Sequence, residues 1–154
     1  MAVFFFDTSG LAKRYIYETG STWVTNVCLP ASRNLVYIAE ITAVEMVSAI
    51  TRRARSGSLT TAHAAAALAR FEADLLKEYF VLEIASRLLT GARDFAGMYG
   101  LRGYDAVQLA VAVNFNREQL AAGLPTITLV SADTELLEAT RAESLLIENP
   151  NHHP

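Results

Sequence analysis

Short, mainly apolar runs alternate with longer segments of helical character along this chain. Such runs, when turn residues bound them, predict buried strands. Four stand out and a fifth is shorter; they cover residues 3–6, 35–39, 80–84, 126–130 and 145–147. The first run is apolar at every position, which predicts a strand that is buried on both faces, as in a parallel sheet.

Segments of helical character lie between these strands. They cover residues 9–18, 21–29, 42–54, 86–99, 104–120 and 133–140, together with an Ala-rich helix that Thr60 or Thr61 caps and that runs to about Glu78. The 104–120 segment has apolar residues on more than one face, so we expect it to be largely buried. Strands that alternate with helices favour an α/β fold with a mainly parallel sheet of four to five strands.

The composition favours one folded domain, because the chain has 154 residues, of which 52% are hydrophobic and 19% charged. Residues 149–154 form a polar tail that we expect to be loose. No apolar stretch approaches the ~20 residues that span a bilayer, so we expect no membrane partner. A single cysteine, Cys28, excludes an internal disulfide. A cytoplasmic location is the expectation that follows.

Four acidic residues hold the candidate chemistry: Asp7, Glu45, Asp105 and Asp133. Each comes directly after a predicted strand or lies in the first turn of a predicted helix. In a parallel sheet with right-handed crossovers these positions share one edge, the edge at which open α/β sheets bind ligands. We therefore expect the four carboxylates to converge.

Taken singly, each acid has a structural alternative. Glu45 comes three residues after Thr42, which matches a capping box, and that interpretation is favoured at roughly two to one for this residue alone. The three aspartates stand where a negative charge stabilises the start of a helix. Four acids on the same edge of the sheet favour a shared site over four unrelated caps.

Several convergent carboxylates, without a competing Cys or His cluster, indicate a hard divalent cation such as Mg²⁺ or Mn²⁺. Such a cation stabilises charge on phosphoryl oxygens and lowers the pKa of a bound water. The net charge of -3 argues against a protein that coats duplex nucleic acid. It does not exclude a nuclease, because the cation reverses the local field that a phosphate meets.

The motifs around these acids resemble those of PIN-domain ribonucleases, and within them the VapC toxins of toxin–antitoxin pairs. The resemblance extends over nearly the whole chain in motif order and spacing, and it rests on residues 6–13, 42–45, 104–110 and 131–133. It implies a three-layer α/β/α sandwich in a single nuclease domain over residues 1–148. It also implies cleavage of RNA with Mg²⁺ or Mn²⁺, a homodimer, and inhibition by a cognate VapB-like antitoxin.

The resemblance assigns roles to the site residues. It implies that Asp7 and Asp105 bind the metal directly. Glu45 and Asp133 would act through water, position the attacking water or hold a second ion. Thr8 and Ser131 are candidates for orienting carboxylates by hydrogen bonds, which is how groups outside the ligand set commonly act.

RNA has to be bound as well as cut. Lys13 and Arg102 are the best candidates for phosphate contacts, because each lies near a site acid in the sequence. The alternative is that they are solvated charges on helix surfaces. Gly10 departs from the family, where a small residue such as Ser or Ala is more usual, and it suggests either close backbone packing or local freedom.

Two other functions compete with the ribonuclease interpretation. One is a non-catalytic relative that keeps the fold and binds RNA or regulates, although the presence of all four acids argues against it. The other is an acid-based phosphotransfer protein such as a receiver domain. Receiver domains have paired acids after the first strand, whereas here Thr8 follows Asp7, so this alternative is the least favoured.

Overall fold

Five short strands form one parallel sheet in a computed structural model that describes residues 1–154. They are β1 (Val3–Phe6), β2 (Leu35–Ala39), β3 (Phe80–Leu82), β4 (Thr128–Val130) and β5 (Leu146–Glu148), in the spatial order β3-β2-β1-β4-β5. Every neighbouring pair is parallel. The chain therefore runs outward from β1 in one direction and then in the other, so β1 and β4 flank the point where the order reverses. Ligands bind at such a point, beyond the carboxyl ends of the strands.

Seven helices cover the two faces of the sheet. They are α1 (Thr8–Leu11), α2 (Ser21–Cys28), α3 (Ile41–Arg55), α4 (Thr61–Lys77), α5 (Ser86–Tyr99), α6 (Gly103–Ala121) and α7 (Thr134–Ala142). Helices α1 to α4 contribute to one apolar core and α5 to α7 to the other. Strand β1 supplies Phe5 to one core and Phe6 to the other, and both rings are fully buried. The expected three-layer α/β/α sandwich is confirmed.

Helix α6 is buried along most of its length, as its apolar residues on several faces predict. It packs closely against α5, and Leu109 and Ala112 on it have no exposed surface. No helix in the structure is both long and apolar enough to cross a bilayer.

The first helix is shorter than expected. The sequence predicts a helix over residues 9–18, but α1 ends at Leu11 and a 3₁₀ turn follows over Ala12–Arg14. Within this turn, the side chain of Lys13 points inward and donates to Glu18 Oε1 (3.2 Å) and to the carbonyl of Thr19 (3.0 Å). These contacts hold the chain in a loop where local pattern alone favours a helix.

The tail over residues 149–154 is packed, in contrast to the loose tail that its composition suggests. Pro150–His152 forms a 3₁₀ turn whose first residue is buried, and Asn149 Oδ1 accepts from the Asn151 N–H at 2.9 Å. The His153 ring stacks on Trp23 of α2, with centroids 4.4 Å apart. Composition could not show this contact, because it depends on a partner more than a hundred residues away in the chain.

Candidate active site

Asp7 is the structural centre of the site. It directly follows β1, and its own N–H donates to the carbonyl of Val130 in β4 at 3.1 Å. Its side chain caps α1 by accepting from the Gly10 N–H at 2.8 Å. Only 3% of its surface is exposed. The cap interpretation and the site interpretation are therefore compatible, because one oxygen serves the helix while the carboxylate faces the cleft.

Two serines hold the Asp7 carboxylate from separate parts of the chain. Ser9 Oγ lies 2.9 Å from Oδ1 and 2.8 Å from Oδ2, and Ser131 Oγ donates to Oδ2 at 2.9 Å. Ser131 Oγ also accepts from the Asp133 N–H at 3.0 Å. The segment after β1 and the segment after β4 are thus joined through one carboxylate.

Burial dominates the electrostatics of Asp7. The pKa of its carboxyl group is raised from 3.8 to about 7, mainly by desolvation and in small part by the charge of Asp105, although the hydrogen bonds from Gly10, Ser9 and Ser131 act to lower it. No cationic side chain forms an ion pair with it. A buried carboxylate in this state favours binding of either a proton or a metal cation.

Glu45 lies on α3, where Gln108 of α6 holds its side chain. Gln108 Nε2 donates to Glu45 Oε1 at 2.8 Å and to Thr42 Oγ1 at 3.0 Å. The capping-box interpretation of Thr42 and Glu45 is wrong, because α3 begins earlier, with Glu40 at its N-cap, and the Thr42 hydroxyl points into the buried contact with Gln108.

Asp105 and Asp133 complete the acidic set. Asp105 lies in the first turn of α6, where partial burial, then the charges of Asp133 and Glu45, raise the pKa of its carboxyl group to about 6, and Arg102 opposes this shift. Asp133 is the N-cap of α7, and its Oδ1 accepts from the N–H groups of Glu135 and Leu136 at 2.9 and 3.1 Å. Its Oδ2 accepts no hydrogen bond from the protein and is free for a ligand.

All four acids line one cleft of about 1010 Å³, together with Thr8, Ser9, Lys13, Arg102 and Tyr104. The convergence expected from the sequence is therefore present in the structure. The two candidate phosphate contacts differ. Arg102 is exposed and forms no ion pair, whereas Lys13 is buried and its ammonium group is bonded to Glu18 and Thr19.

Solved structures share this architecture. PAE2754 from Pyrobaculum aerophilum superposes with a TM-score of 0.61 over 98% of this chain and 85% of its own, at 23% identity. VapBC2 from Rickettsia felis, bound to a DNA fragment from its promoter, matches over 96% of this chain and 98% of its own (TM-score 0.61, 18% identity). Mycobacterium tuberculosis VapC20, a toxin that cleaves the sarcin–ricin loop, matches over 88% and 94% (TM-score 0.61, 18% identity).

This is the PIN-domain fold. Neither a protein-family model nor a curated protein sequence matches the chain. The likeness is therefore one of architecture, and it covers at least 88% of this chain and at least 85% of each of the three structures.

The acidic side chains of this PIN fold suit a hard divalent cation, although no group of three or more Asp, Glu, His or Cys side chains is placed to hold a metal ion by itself. Mg²⁺ does not need such a cage, since it usually binds one or two carboxylates and completes its shell with water and substrate phosphates. Asp7 and Asp105 offer those carboxylates, and both pKa values are raised in a way that a bound cation would reverse.

Local sequence reasoning missed two residues of the site. Ser9, rather than the expected Thr8, contacts the Asp7 carboxylate, and Thr8 Oγ1 is buried without a hydrogen-bond partner. The signal that could have identified Ser9 is a serine two residues after an aspartate at the start of a helix. Gln108 is the other, and its polar side chain inside a largely apolar helix is the corresponding signal.

Proposed function

We propose that this protein is a Mg²⁺- or Mn²⁺-dependent endoribonuclease and the toxin of a toxin–antitoxin pair. The observation that supports the proposal most is the convergence of four carboxylates, from four separate segments, in one cleft at the carboxyl edge of the sheet. Carboxylates without His or Cys partners suit a hard cation, and such sites commonly act on phosphodiesters.

Each acid has a role in this proposal. Asp7 and Asp105 would hold the cation, which supplies charge stabilisation for the phosphoryl oxygens and a bound water of lowered pKa. Glu45, fixed by Gln108, accepts a proton from the attacking water or orients it. Asp133 presents its free Oδ2 to the same cleft, while Ser9 and Ser131 fix the Asp7 carboxylate. Arg102 is the best placed group to contact a substrate phosphate.

The solved structures support the biological part of the proposal. VapC20 is a toxin that cleaves the sarcin–ricin loop, and VapBC2 is bound to a DNA fragment from its promoter. We therefore propose an RNA substrate and a VapB-like antitoxin as partner. We also propose a homodimer and action in the cytoplasm, as the sequence motifs imply. Co-expression of the chain with the product of a neighbouring small open reading frame should relieve growth arrest and give a stable complex on size-exclusion chromatography with light scattering.

The direct test is cleavage of structured RNA by the purified protein with Mg²⁺ or Mn²⁺. Asp7→Asn should reduce cleavage at least ~100-fold, since it removes a charged ligand while keeping the side-chain shape. Asp94→Asn is the matched control, because Asp94 is an exposed acid on α5 and lies outside the cleft. Cleavage by Asp7→Asn at the wild-type rate would show that the assignment is wrong.

The acids do not form a three-ligand cage, so cation binding in this proposal depends on Asp7 and Asp105 with water and substrate phosphate. The alternative is a non-catalytic, RNA-binding relative in which these two carboxylates bind no cation. Calorimetric titration with Mn²⁺ separates the two functions. The nuclease should bind Mn²⁺ with release of protons from Asp7 and Asp105, because their raised pKa values leave these groups partly protonated near neutral pH. A protein that binds RNA but no Mn²⁺ would instead be the non-catalytic relative.

A further inference from the structure

A second pocket, of about 360 Å³, lies beside the acidic cleft. Its walls come from the turn after α1, from one face of α2 and from α4, and the residues that matter here are Arg14, Tyr15, Tyr17, Thr22, Thr25 and Asn26. The volume falls within the range of roughly 300–1,000 Å³ that small-ligand sites have in proteins. Nothing in the proposed catalytic reaction uses this pocket.

The deep side of the pocket is a fixed polar network. Arg14 is buried, and its Nη1 donates to Tyr79 Oη at 2.7 Å while its Nη2 lies 3.4 Å from Asp74 Oδ2. Tyr15 Oη donates to the same Asp74 oxygen at 2.8 Å. Because these side chains are mutually bonded, the floor is preorganised and needs no rearrangement to receive a ligand.

The outer side of the pocket has polar groups without partners. Thr22, Thr25 and Asn26 lie on one face of α2, at spacings of three and four residues, and their side chains make no hydrogen bond within the protein. Tyr17, at 88% exposure, presents an aromatic ring to the same space. A solvated helix face explains the threonines alone, but it does not explain a tyrosine ring left in water at the rim of a pocket.

The charges around the pocket are balanced. Lys13 is 3.2 Å from Glu18, and Arg14 lies 3.4 Å from Asp74 and 3.9 Å from Glu78. Arg70 lies 3.9 Å from the same Asp74, so three acids face the three cations. A free phosphate would therefore meet little net positive charge. A neutral group with hydrogen-bonding edges and an aromatic face, which is the chemistry of a nucleoside, matches the lining better.

The position of the pocket links it to RNA. Lys13 lines both the pocket and the acidic cleft, so an RNA chain that leaves the cleft on this side passes the pocket. We propose that the pocket binds one unpaired nucleoside of the RNA, with Tyr17 stacked on the base and the polar groups of Thr25 and Asn26 on its edge. This inference rests on the proposed ribonuclease function, and it assigns to that function a site of substrate selection.

The test measures RNA binding separately from cleavage. A short, fluorescently labelled single-stranded RNA that contains all four bases is titrated with the full-length protein in EDTA, and anisotropy gives the Kd. Tyr17→Leu should weaken binding roughly 5- to 100-fold, whereas Tyr17→Phe should keep most of the affinity, because a base stacks on either ring. Asn26→Ala should weaken binding roughly 2- to 10-fold.

Asn114→Ala is the matched control for Asn26→Ala, since Asn114 lies on α6 in the opposite helix layer and outside both pockets. A series of RNAs with one abasic position each then identifies the bound base. At one position, the missing base should lower the affinity of the wild type for the RNA. The same abasic RNA should bind Tyr17→Leu about as tightly as the intact RNA does.

Two sets of results overturn the inference. One is equal affinity of the wild type and Tyr17→Leu, or no binding of the RNA by the wild type. The other is equal affinity for every abasic RNA, which would mean that only the phosphate backbone is bound. Cleavage in Mg²⁺ is assayed in parallel with the same RNA. If Tyr17→Leu binds RNA as tightly as the wild type while the wild type cleaves it, the nucleoside subsite is rejected and the nuclease function is not. Absence of cleavage with the Tyr17 effect intact rejects the nuclease assignment alone.

Discussion

At the scale of single residues, Asp7 is where function and stability oppose each other. Its carboxyl group is buried, and desolvation raises its pKa from 3.8 to about 7 despite three hydrogen-bond donors. A pKa above the unfolded-state value means that the folded protein holds this proton more tightly than the unfolded chain does. Ionisation of Asp7 therefore favours unfolding unless a cation is bound.

This gives a prediction on stability against pH. In EDTA, protonated Asp7 should make its full contribution to the free energy of unfolding below about pH 4, and this contribution should be lost as the pH rises to about 7. The total change should be on the order of a few kcal/mol. Asp7→Asn should therefore be more stable than the wild type at pH 8 and should lose most of this dependence. Urea unfolding at pH 5 and pH 8 measures it, with Asp94→Asn as control. An unchanged pH dependence in Asp7→Asn contradicts the assignment of the raised pKa.

Gln108 is the second residue with a role of its own. It is 1% exposed, and it bridges Glu45 and Thr42 through one amide nitrogen while its Oε1 has no partner. Gln108→Met, which keeps the volume, should lower kcat about 10- to 100-fold and leave KM nearly unchanged, because Glu45 loses its orientation. Thr42→Val removes only the other acceptor and should have a small effect. Equal losses in the two variants would mean that the bridge serves packing rather than catalysis.

At the scale of secondary-structure elements, α1 shows why a short helix can be decisive. Its Gly10 packs so closely on β4 that a Cβ atom there would lie 2.7 Å from the Val130 carbonyl oxygen and 3.3 Å from Asp7 Oδ1. Close backbone packing, rather than local freedom, is therefore the reason for glycine at this position. The approach also brings the Gly10 N–H onto the Asp7 carboxylate.

Gly10→Ala should consequently destabilise the protein by roughly 1–3 kcal/mol, because the added methyl group meets backbone that cannot move aside easily. Gly91→Ala is the opposite control. Nothing lies within 4 Å of a Cβ at Gly91, which is inside α5. That variant should be more stable by about 0.5–1 kcal/mol from helix propensity. Thermal unfolding of the two variants should give Tm shifts of opposite sign, and shifts of the same sign would contradict the packing argument.

Patterns of neighbouring residues predict these elements well where the physical cause is local. The apolar run of β1 and the acid that follows it are both visible in the first seven residues. The contacts that complete the site depend on distant segments: Ser131 is 124 residues from Asp7, and Gln108 is 63 from Glu45. Local pattern therefore places the carboxylates at one edge, but it cannot show which side chains hold them or that α1 ends at Leu11.

At the scale of the whole molecule, the order of the strands concentrates the site. The strand order changes direction between β1 and β4, so the segments that follow these two strands lie side by side. Helices α3 and α6 start near the same edge of the sheet. The C-terminal segment closes this arrangement from outside. Asn151 lines the cleft, and the Pro150 carbonyl lies so close to Gly20 that a Cβ there would be 2.3 Å away. Gly20 has φ +88, which also favours glycine.

Removal of residues 150–154 tests this closure. Trp23 is the only tryptophan of the chain, and its ring stacks on His153, so its fluorescence reports the contact directly. The truncated protein should show red-shifted Trp emission and a loss of stability of roughly 1–3 kcal/mol, because buried apolar surface at Pro150 and Trp23 becomes exposed. His153→Ala should give a smaller shift in emission, and His152→Ala, at an exposed position, should give none. Unchanged emission after truncation would mean that the tail does not pack on α2 in solution.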